Sequence, residues 1–311
     1  MSAQPLFSII MPTHNRASLI GKGIGSIIDQ SWTDWELLLI DDGSTDHTRT
    51  VVEAFQDPRI RYVHQPHGER SRARNRGIEL ARGTHLCFID DDDYWLPEHL
   101  AHFQSALART SSPPPILRVH YWQERAGKRR LTVRYDPEIS PIRFFAHHFC
   151  GVWSLCIPRD YLQDNRFPPN FRHWQDTHLI LRLLAQYPFQ QLDATSYVYQ
   201  IHDAMGSLSV YQQADARARI ESNVAAIRDL FERYGDLLAP HLPEHTKDFL
   251  ICEKYLGHAN GALRSGRYRL AWELFQQSRR HHRKGWFYRG YRNFVLKFPL
   301  KWLTGYPREL A

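Results

Sequence analysis

Four consecutive aspartates, Asp90, Asp91, Asp92 and Asp93, stand directly behind the apolar run HLCFI. Neighbouring carboxylates at the end of a strand lie roughly 4–6 Å apart. Each like-charge contact then costs about 1 kcal/mol in water, and several times that in a partly buried site. Such a run is either fully solvated or neutralised by something cationic. Two other polar clusters also follow apolar runs: PTHNR (12–16) and DDGSTD (41–46). Taken alone, DDGSTD is also compatible with a plain turn carrying an N-cap for the next helix.

The elements that would position these clusters alternate along the first hundred residues. Apolar runs at 6–12, 35–41, 60–65 and 85–90 read as strands, with helical patterns at about 17–30, 45–55, 70–82 and 97–109. Strands apolar on both faces and spaced by helices imply a mostly parallel sheet covered on both sides. In open α/β sheets, ligands sit outside the carboxyl ends of the strands. The three clusters fall at three such ends, so one edge of one sheet gathers them. TSSPPP (110–115) is a breaker. Beyond it, ILRVHYW and RRLTVRY flank QERAGK as a hairpin, GVWSLCIP (151–158) reads as a strand, 174–186 as a helix and 192–201 as an extended stretch.

The segments SIIMPTHNR, WELLLIDDGSTDHT, ARNRGIELARGTHLCFIDDDDYWLP and HWQDTHLILRL together resemble the family 2 glycosyltransferases, over roughly residues 5 to 205. The resemblance implies a GT-A fold: a Rossmann-like, mostly parallel sheet flanked by helices. It also implies a nucleotide-sugar donor, Mn²⁺ or Mg²⁺, and inversion at the anomeric carbon. A departing nucleoside diphosphate develops negative charge that a divalent cation stabilises as a Lewis acid. Hard cations of this kind take few carboxylate oxygens from the protein, with phosphate and water completing the shell.

Carried onto this chain, the family's Asp-x-Asp element maps to Asp90, Asp91 and Asp92. Asp92 is then the metal ligand, and Asp90 faces the ribose or the metal's waters. Asp93 is expected to cap the next helix or support the loop. Asp42, with Asp41 beside it, is placed against the base or ribose, and Pro12, Thr13 and His14 line the same pocket. Asn15 and Arg16 shape that loop. Arg74 and Asn75 match the ARN element near the nucleotide, Arg74 pairing with a phosphate or with the acidic site. Arg70, Arg72 and Arg76 read as a solvated basic face. Asp176 opens a helix where the family carries its base. Gln175 stands there in place of the usual Glu, and the alternative for Asp176 is a helix N-terminal acid stabilised by the dipole. Trp174 is a candidate for stacking on a sugar ring, while Trp153 is equally a core residue. His202, in YQIHDAMGSLS, is a candidate second metal ligand, with a structural loop histidine as the alternative.

The division expected is a glycosyltransferase domain over 1–210 and a helical C-terminal region over 211–311. Within the first, 1–110 would bind the nucleotide-sugar and 111–210 the acceptor. Residues 255–278 read as two helices turning at Gly266, similar to one tetratricopeptide unit, although a single unit cannot build a solenoid.

The net charge of +7 is unevenly placed: from Arg264 onward twelve Lys and Arg face two Glu, leaving the first 263 residues at −3. Within GWFYRGYRNFVLKFPLKWL, Phe287, Tyr291, Phe294, Phe298 and Trp302 recur at helical spacing, with Arg289, Arg292, Lys297 and Lys301 between them. That pattern suits a helix lying in a membrane interface, or a terminal helix docking its aromatic face on the protein. Nucleic acid is not expected as a partner. The four cysteines (87, 150, 156, 252) lack CxxC spacing and read as buried thiols of a reducing compartment. No apolar stretch approaches the ~20 residues of a membrane span, and the first residues do not resemble a signal peptide. A cytoplasmic protein results, peripheral on the inner face of the plasma membrane if the tail binds lipid. The acceptor expected is a glycan or a lipid-linked glycan. The rival readings are a nucleotidyltransferase on a related sheet and a non-catalytic sugar-nucleotide-binding membrane adaptor.

Overall fold

The computed structural model describes residues 4–110, 112–132, 134–202, 216–281, 294–296 and 298. Two compact units are present, Met1–Ile201 and His202–Ala311.

The first unit is built on one nine-stranded sheet. Its strands are β1 (Phe7–Thr13), β2 (Trp35–Asp41), β3 (Ile60–His64), β4 (His85–Phe88), β5 (Tyr94–Trp95), β6 (Ile116–Arg125), β7 (Lys128–Leu131), β8 (Leu155–Pro158) and β9 (Phe189–Gln200). The order is β3-β2-β1-β4-β8-β6-β9-β5, with β7 paired to β6. The pairs β3-β2, β2-β1, β1-β4 and β6-β9 are parallel. The strands β8, β5 and β7 join antiparallel. Every residue of β1 and β2 is buried, as a sheet covered on both faces requires. Burying each large aliphatic side chain there contributes roughly 1.5–3 kcal/mol.

The helices of this unit are α1 (Ile20–Ile28), α2 (Thr48–Glu53), α3 (Glu69–Leu80), α4 (His99–Leu107), α5 (Pro141–His147) and α6 (Gln175–Gln186). In α1, Ile20, Gly23, Ile24 and Ile27 are buried, the stripe that a 3.6-residue period lays on one face. Helix α3 is mostly polar, yet it lies close on β1 because Gly77 has no side chain. A Cβ there would stand 2.5 Å from Ile10 Cγ2.

Several elements differ from expectation. The strand expected over 151–158 begins at Leu155, because Val152–Ser154 form a short 3-10 turn. The expected hairpin forms, but β7 is only Lys128–Leu131, and β6 also pairs with β8 and β9. The two-residue strand β5 and helix α5 were not expected, being too short for periodicity to show.

The second unit contains α7 (Ala216–Leu238), α8 (Thr246–Arg264) and α9 (Tyr268–His281). The expected turn between the last two helices is present at Gly266, with φ +76°. Phe294 and Phe298 of the tail are buried: the Phe294 ring lies 4.4 Å from Phe275 and the Phe298 ring 5.2 Å from Trp272. For these two aromatics the docked arrangement is the observed one. Phe287, Arg289, Tyr291, Arg292, Lys297, Lys301 and Trp302 lie outside the described residues. Among the described residues no helix is long and apolar enough to cross a membrane. All four cysteines are free and buried.

Candidate active site

The parallel register aligns Thr13 with Asp41 at the carboxyl ends of β1 and β2, and β4 delivers Asp90 on the other side of β1. The strand order β2-β1-β4 thus brings the three polar clusters to one edge. There they surround a cavity of about 380 Å³ lined by Pro12, Thr13, His14, Asp42, Asp90, Asp91 and Asp92. Arg16, His67, Glu69, Arg70 and Arg172 complete its polar wall.

At the end formed by β1 and β2, Asp42 is buried and fixed from three sides. Its Oδ1 accepts from Gln65 Nε2 at 2.7 Å and from Gly68 N at 2.9 Å, and its Oδ2 lies 2.9 Å from His67 Nδ1. His14 Nδ1–H donates to the Asp42 carbonyl at 2.9 Å, and Asn15 Nδ2 donates to His14 Nε2 at 3.2 Å. These bonds suit the Nδ1–H tautomer of His14. Its ring lies 4.5 Å from that of His67, so two imidazoles line the wall beside Asp42. Asn15 is left-handed, with φ 54°. Its Oδ1 accepts from Thr45 N at 2.8 Å and its own N donates to Ser44 Oγ at 2.9 Å, joining the loops after β1 and β2. Asp41 stands behind the wall, accepting from Ser44 N at 2.8 Å and from the Tyr62 hydroxyl.

The four aspartates divide by environment. Asp90 gives Oδ1 to Arg74 Nη2 at 2.7 Å. Burial works against its charge, but Arg74 and Arg70 outweigh it and hold the carboxyl below its ordinary range. Asp91 lies 3.8 Å from Arg16 Nε, and burial together with the Asp92 charge pushes its pKa up to about 7. Asp93 accepts from Tyr197 Oη at 2.6 Å and from Gln200 N at 2.7 Å. It caps no helix, since Glu98 precedes α4; it ties the acidic loop to β9. Asp92 is half-buried on the cavity wall.

The carboxylate oxygens that Asp90, Asp91 and Asp92 bring to this wall suit a hard divalent cation. Among the described residues no group of three or more His, Cys, Asp or Glu could hold a metal by itself. Asp91 and Asp92 both line the cavity, and a hard cation that takes few protein carboxylates completes its shell with phosphate and water. The residues present fit Mn²⁺ or Mg²⁺ in that partial sense.

Arg74 is 1% exposed and joins the acidic loop to α6. Its Nη1 lies 2.6 Å from Asp176 Oδ1, while Asp176 Oδ2 is 3.5 Å from Val152 N. Asp176 is not part of the cavity wall; it stands behind it, through Arg74. Asn75, expected near the nucleotide, instead exchanges two 2.9 Å hydrogen bonds with the backbone of Phe167. Trp174, left-handed at φ 68°, is half-buried ahead of α6. Trp153 is a core residue, stacked 4.4 Å from Tyr197. His202 is half-buried and opens the second unit.

Arg70, Arg172, His67 and Glu69 were not anticipated as wall residues. HQPHGER (64–70) follows β3, a fourth strand end to which the same rule applied. Arg70 also stands four residues before Arg74 and therefore shares its helix face.

The description "Glycosyl transferase family 2" belongs to the family profile that matches residues 8–162. An uncharacterized glycosyltransferase of Haemophilus influenzae is 40% identical over 177 residues, 54% of this chain and 68% of that protein. This chain belongs to glycosyltransferase family 2. The putative colanic acid biosynthesis glycosyl transferase WcaA of Escherichia coli K12 is 42% identical over 33% of the chain. That match spans only 38% of WcaA, and the match to EpsJ of Bacillus subtilis spans 27% of that protein. The Escherichia coli enzyme named UDP-Glc:alpha-D-GlcNAc-diphosphoundecaprenol beta-1,3-glucosyltransferase WfgD is 29% identical over 58% of the chain and 70% of its own length. Among solved structures, S. aureus TarS 1–349 superposes with TM-score 0.59 at 17% identity, over 91% of this chain and 93% of that one. The mannosyltransferase PcManGT of Pyrobaculum calidifontis, in complex with GDP-Man and Mn²⁺, gives 0.52 at 18% identity, over 97% and 88%. The fold of this family 2 chain is accordingly of the GT-A type.

Proposed function

We propose that this protein transfers a sugar from a nucleoside-diphosphate donor, UDP-linked, to a hydroxyl of a glycan or lipid-linked glycan with inversion. The observation that carries the reading is the single cavity where Thr13, His14, Asp42 and Asp90–Asp92 meet, with Asp176 tied to Asp90 through Arg74. Relatives support the donor class: TarS is described in complex with UDP and with UDP-GlcNAc, and WfgD by its use of UDP-Glc. WfgD's name likewise supports a lipid-linked acceptor, and WcaA's supports surface polysaccharide synthesis.

In this reading Asp42, held rigid by Gln65, Gly68 and His67, accepts a hydrogen bond from the base or ribose, and Pro12, Thr13 and the His14 ring line its pocket. Asp92 would hold Mn²⁺ or Mg²⁺, with Asp90 facing the ribose or the metal's waters and Asp91 beside it against the nucleotide-sugar. When bound, that cation stabilises the charge on the departing diphosphate. Asp176 is the base that takes the acceptor's proton. Its Oδ1 is committed to Arg74, so the proton goes to Oδ2. Arg74 sets the distance between the leaving-group side and the base side, as an in-line displacement requires. His202 is kept as a candidate ligand of the same cation.

The decisive experiment screens nucleotide-sugars with Mn²⁺ or Mg²⁺ for donor hydrolysis, using wild type and Asp92→Ala. Metal-dependent cleavage of one donor, lost in the variant, supports the reading. Equal cleavage by both proteins overturns it.

The segment from Arg264, at +10, is the surface proposed to meet an anionic bilayer carrying the acceptor, on the cytoplasmic side. Flotation with anionic liposomes, with and without residues 285–311, tests it. Equal flotation of both rejects the tail as an anchor.

A further inference from the structure

Cations stand on the cavity wall and behind it, and most are committed. Arg172 donates from Nε and Nη2 to Glu69 Oε1 at 2.9 and 2.6 Å, Arg16 reaches Asp91 at 3.8 Å, and Arg74 is divided between Asp90 and Asp176. Arg70 differs from these. It lies one turn before Arg74 on α3, so its side chain leaves the same helix face nearer the exposed end. It lines the cavity with Asp90, Asp91 and Asp92 and is exposed. Its charge is shared among Asp90, Asp176, Asp91 and Asp92, and Asp90 contributes most to holding its proton more firmly than usual.

A flexible monovalent cation in this place lowers the repulsion among the carboxylates without closing the cavity. A divalent ion bound by the same carboxylates would repel it, because the two positive charges would share one cavity. A diphosphate bound to that ion would attract it, since guanidinium pairs with phosphate through two parallel hydrogen bonds.

We propose that Arg70 is the internal counter-ion of the acidic cluster, screening Asp90, Asp91 and Asp92 before loading and turning to the diphosphate once metal and donor are bound. The proposal rests on the glycosyltransferase reading of the cavity. It makes Arg70 a coupling residue: it opposes metal binding alone and favours metal binding with nucleoside diphosphate.

The test is Mn²⁺ titration of the full chain, followed by the electron paramagnetic resonance signal of free Mn²⁺, with and without UDP. Wild type, Arg70→Ala, Arg70→Lys and Asp92→Ala are compared. Arg70→Ala is expected to bind Mn²⁺ alone about tenfold more tightly and to lose about tenfold of the tightening that UDP confers in wild type. Arg70→Lys keeps the charge and is expected to stay near wild type with Mn²⁺ alone. If Arg70→Ala binds Mn²⁺ no more tightly than wild type while Asp92→Ala abolishes binding, the counter-ion role is wrong and the metal site stands. If Asp92→Ala binds Mn²⁺ as wild type does, the reading of the cavity fails and the proposal with it.

Discussion

Arg74 Nη1 lies 2.6 Å from Asp176 Oδ1, although 102 positions separate the two residues. The other amino group of the same guanidinium holds Asp90 at 2.7 Å. One planar fork thereby sets the spacing between the acidic loop behind β4 and the start of α6.

Removing that fork leaves two partly buried carboxylates without their shared cation. Arg74→Met is expected to lose about 3–5 kcal/mol of stability, the cost of breaking a buried pair from one side. Arg74→Lys restores the charge but not the two-pronged geometry, so it should recover only part of that loss. Urea unfolding of the three proteins measures both, and an unchanged midpoint in Arg74→Met would show that the fork carries no stability.

Asp92 should matter to turnover and little to folding. In Asp92→Asn, metal-dependent donor cleavage is expected to fall at least about a hundredfold, equivalent to roughly 3 kcal/mol of lost charge stabilisation. Its melting temperature should stay within a few degrees of wild type. In wild type, EDTA should abolish cleavage and added Mn²⁺ restore it; cleavage that persists in EDTA would contradict the metal role.

Glu36 gives a pH-dependent stability term far from the cavity. Its carboxylate is 2% exposed; it accepts from Ser8 Oγ at 2.6 Å, Arg82 N at 2.7 Å and Arg82 Nε at 2.9 Å. Burial disfavours the charge, but these hydrogen bonds and that from Arg61 win and hold the carboxyl below its ordinary range. A depressed carboxylate stabilises the fold above its unfolded pKa of about 4.5, and that stabilisation is lost as pH falls through the folded value. Glu36→Gln is therefore expected to cost about 1.5–3 kcal/mol at pH 7. The gap from wild type should narrow below about pH 4.5, as thermal melts at pH 7 and pH 3.5 would reveal. A constant gap would exclude ionisation as its source.

Gly77→Ala tests the close contact of α3 with β1. The added methyl would stand 2.5 Å from Ile10 Cγ2 and 3.1 Å from Ile10 Cγ1, and both atoms are anchored in a fully buried strand. Helix propensity favours Ala by nearly 1 kcal/mol, yet the overpacking should dominate, with a net loss of about 1–3 kcal/mol. Ile10→Val in the same chain should return part of it. A more stable Gly77→Ala would mean that α3 shifts freely.

How much of this was legible in the residues follows from where the information lies. Strands β1, β2 and β4 announce themselves as apolar runs because both their faces are covered, and the polar residues that end them are the cavity wall. Asp42 and Asp90–Asp92 could be placed at one edge because each directly follows a strand of a parallel sheet. The fork of Arg74 could not, since nothing local in ERSRARNRG says that one arginine turns inward to meet Asp176. Asn75 shows the same limit: its partner is the backbone of Phe167, 92 positions away. Arg70 was taken for a solvated residue because α3 is polar nearly all round, and only the buried Arg74 shows which face turns toward the cavity. Strand β5 was missed because two residues carry no periodicity and are strand only through pairing with Tyr197 and Val198.

That small pairing has a consequence for engineering. The acidic loop leaves β4, yet its far end is fastened by β5 and by Asp93 to residues near position 200. A fragment ending at residue 110 would retain Pro12, Thr13, His14, Asp42 and Asp90–Asp92 of the cavity wall and lose the anchor of its own acidic loop. Chimaeras with other family members should therefore take their crossover points around β9, keeping it with the first hundred residues, instead of cutting the chain at its proline-rich breaker.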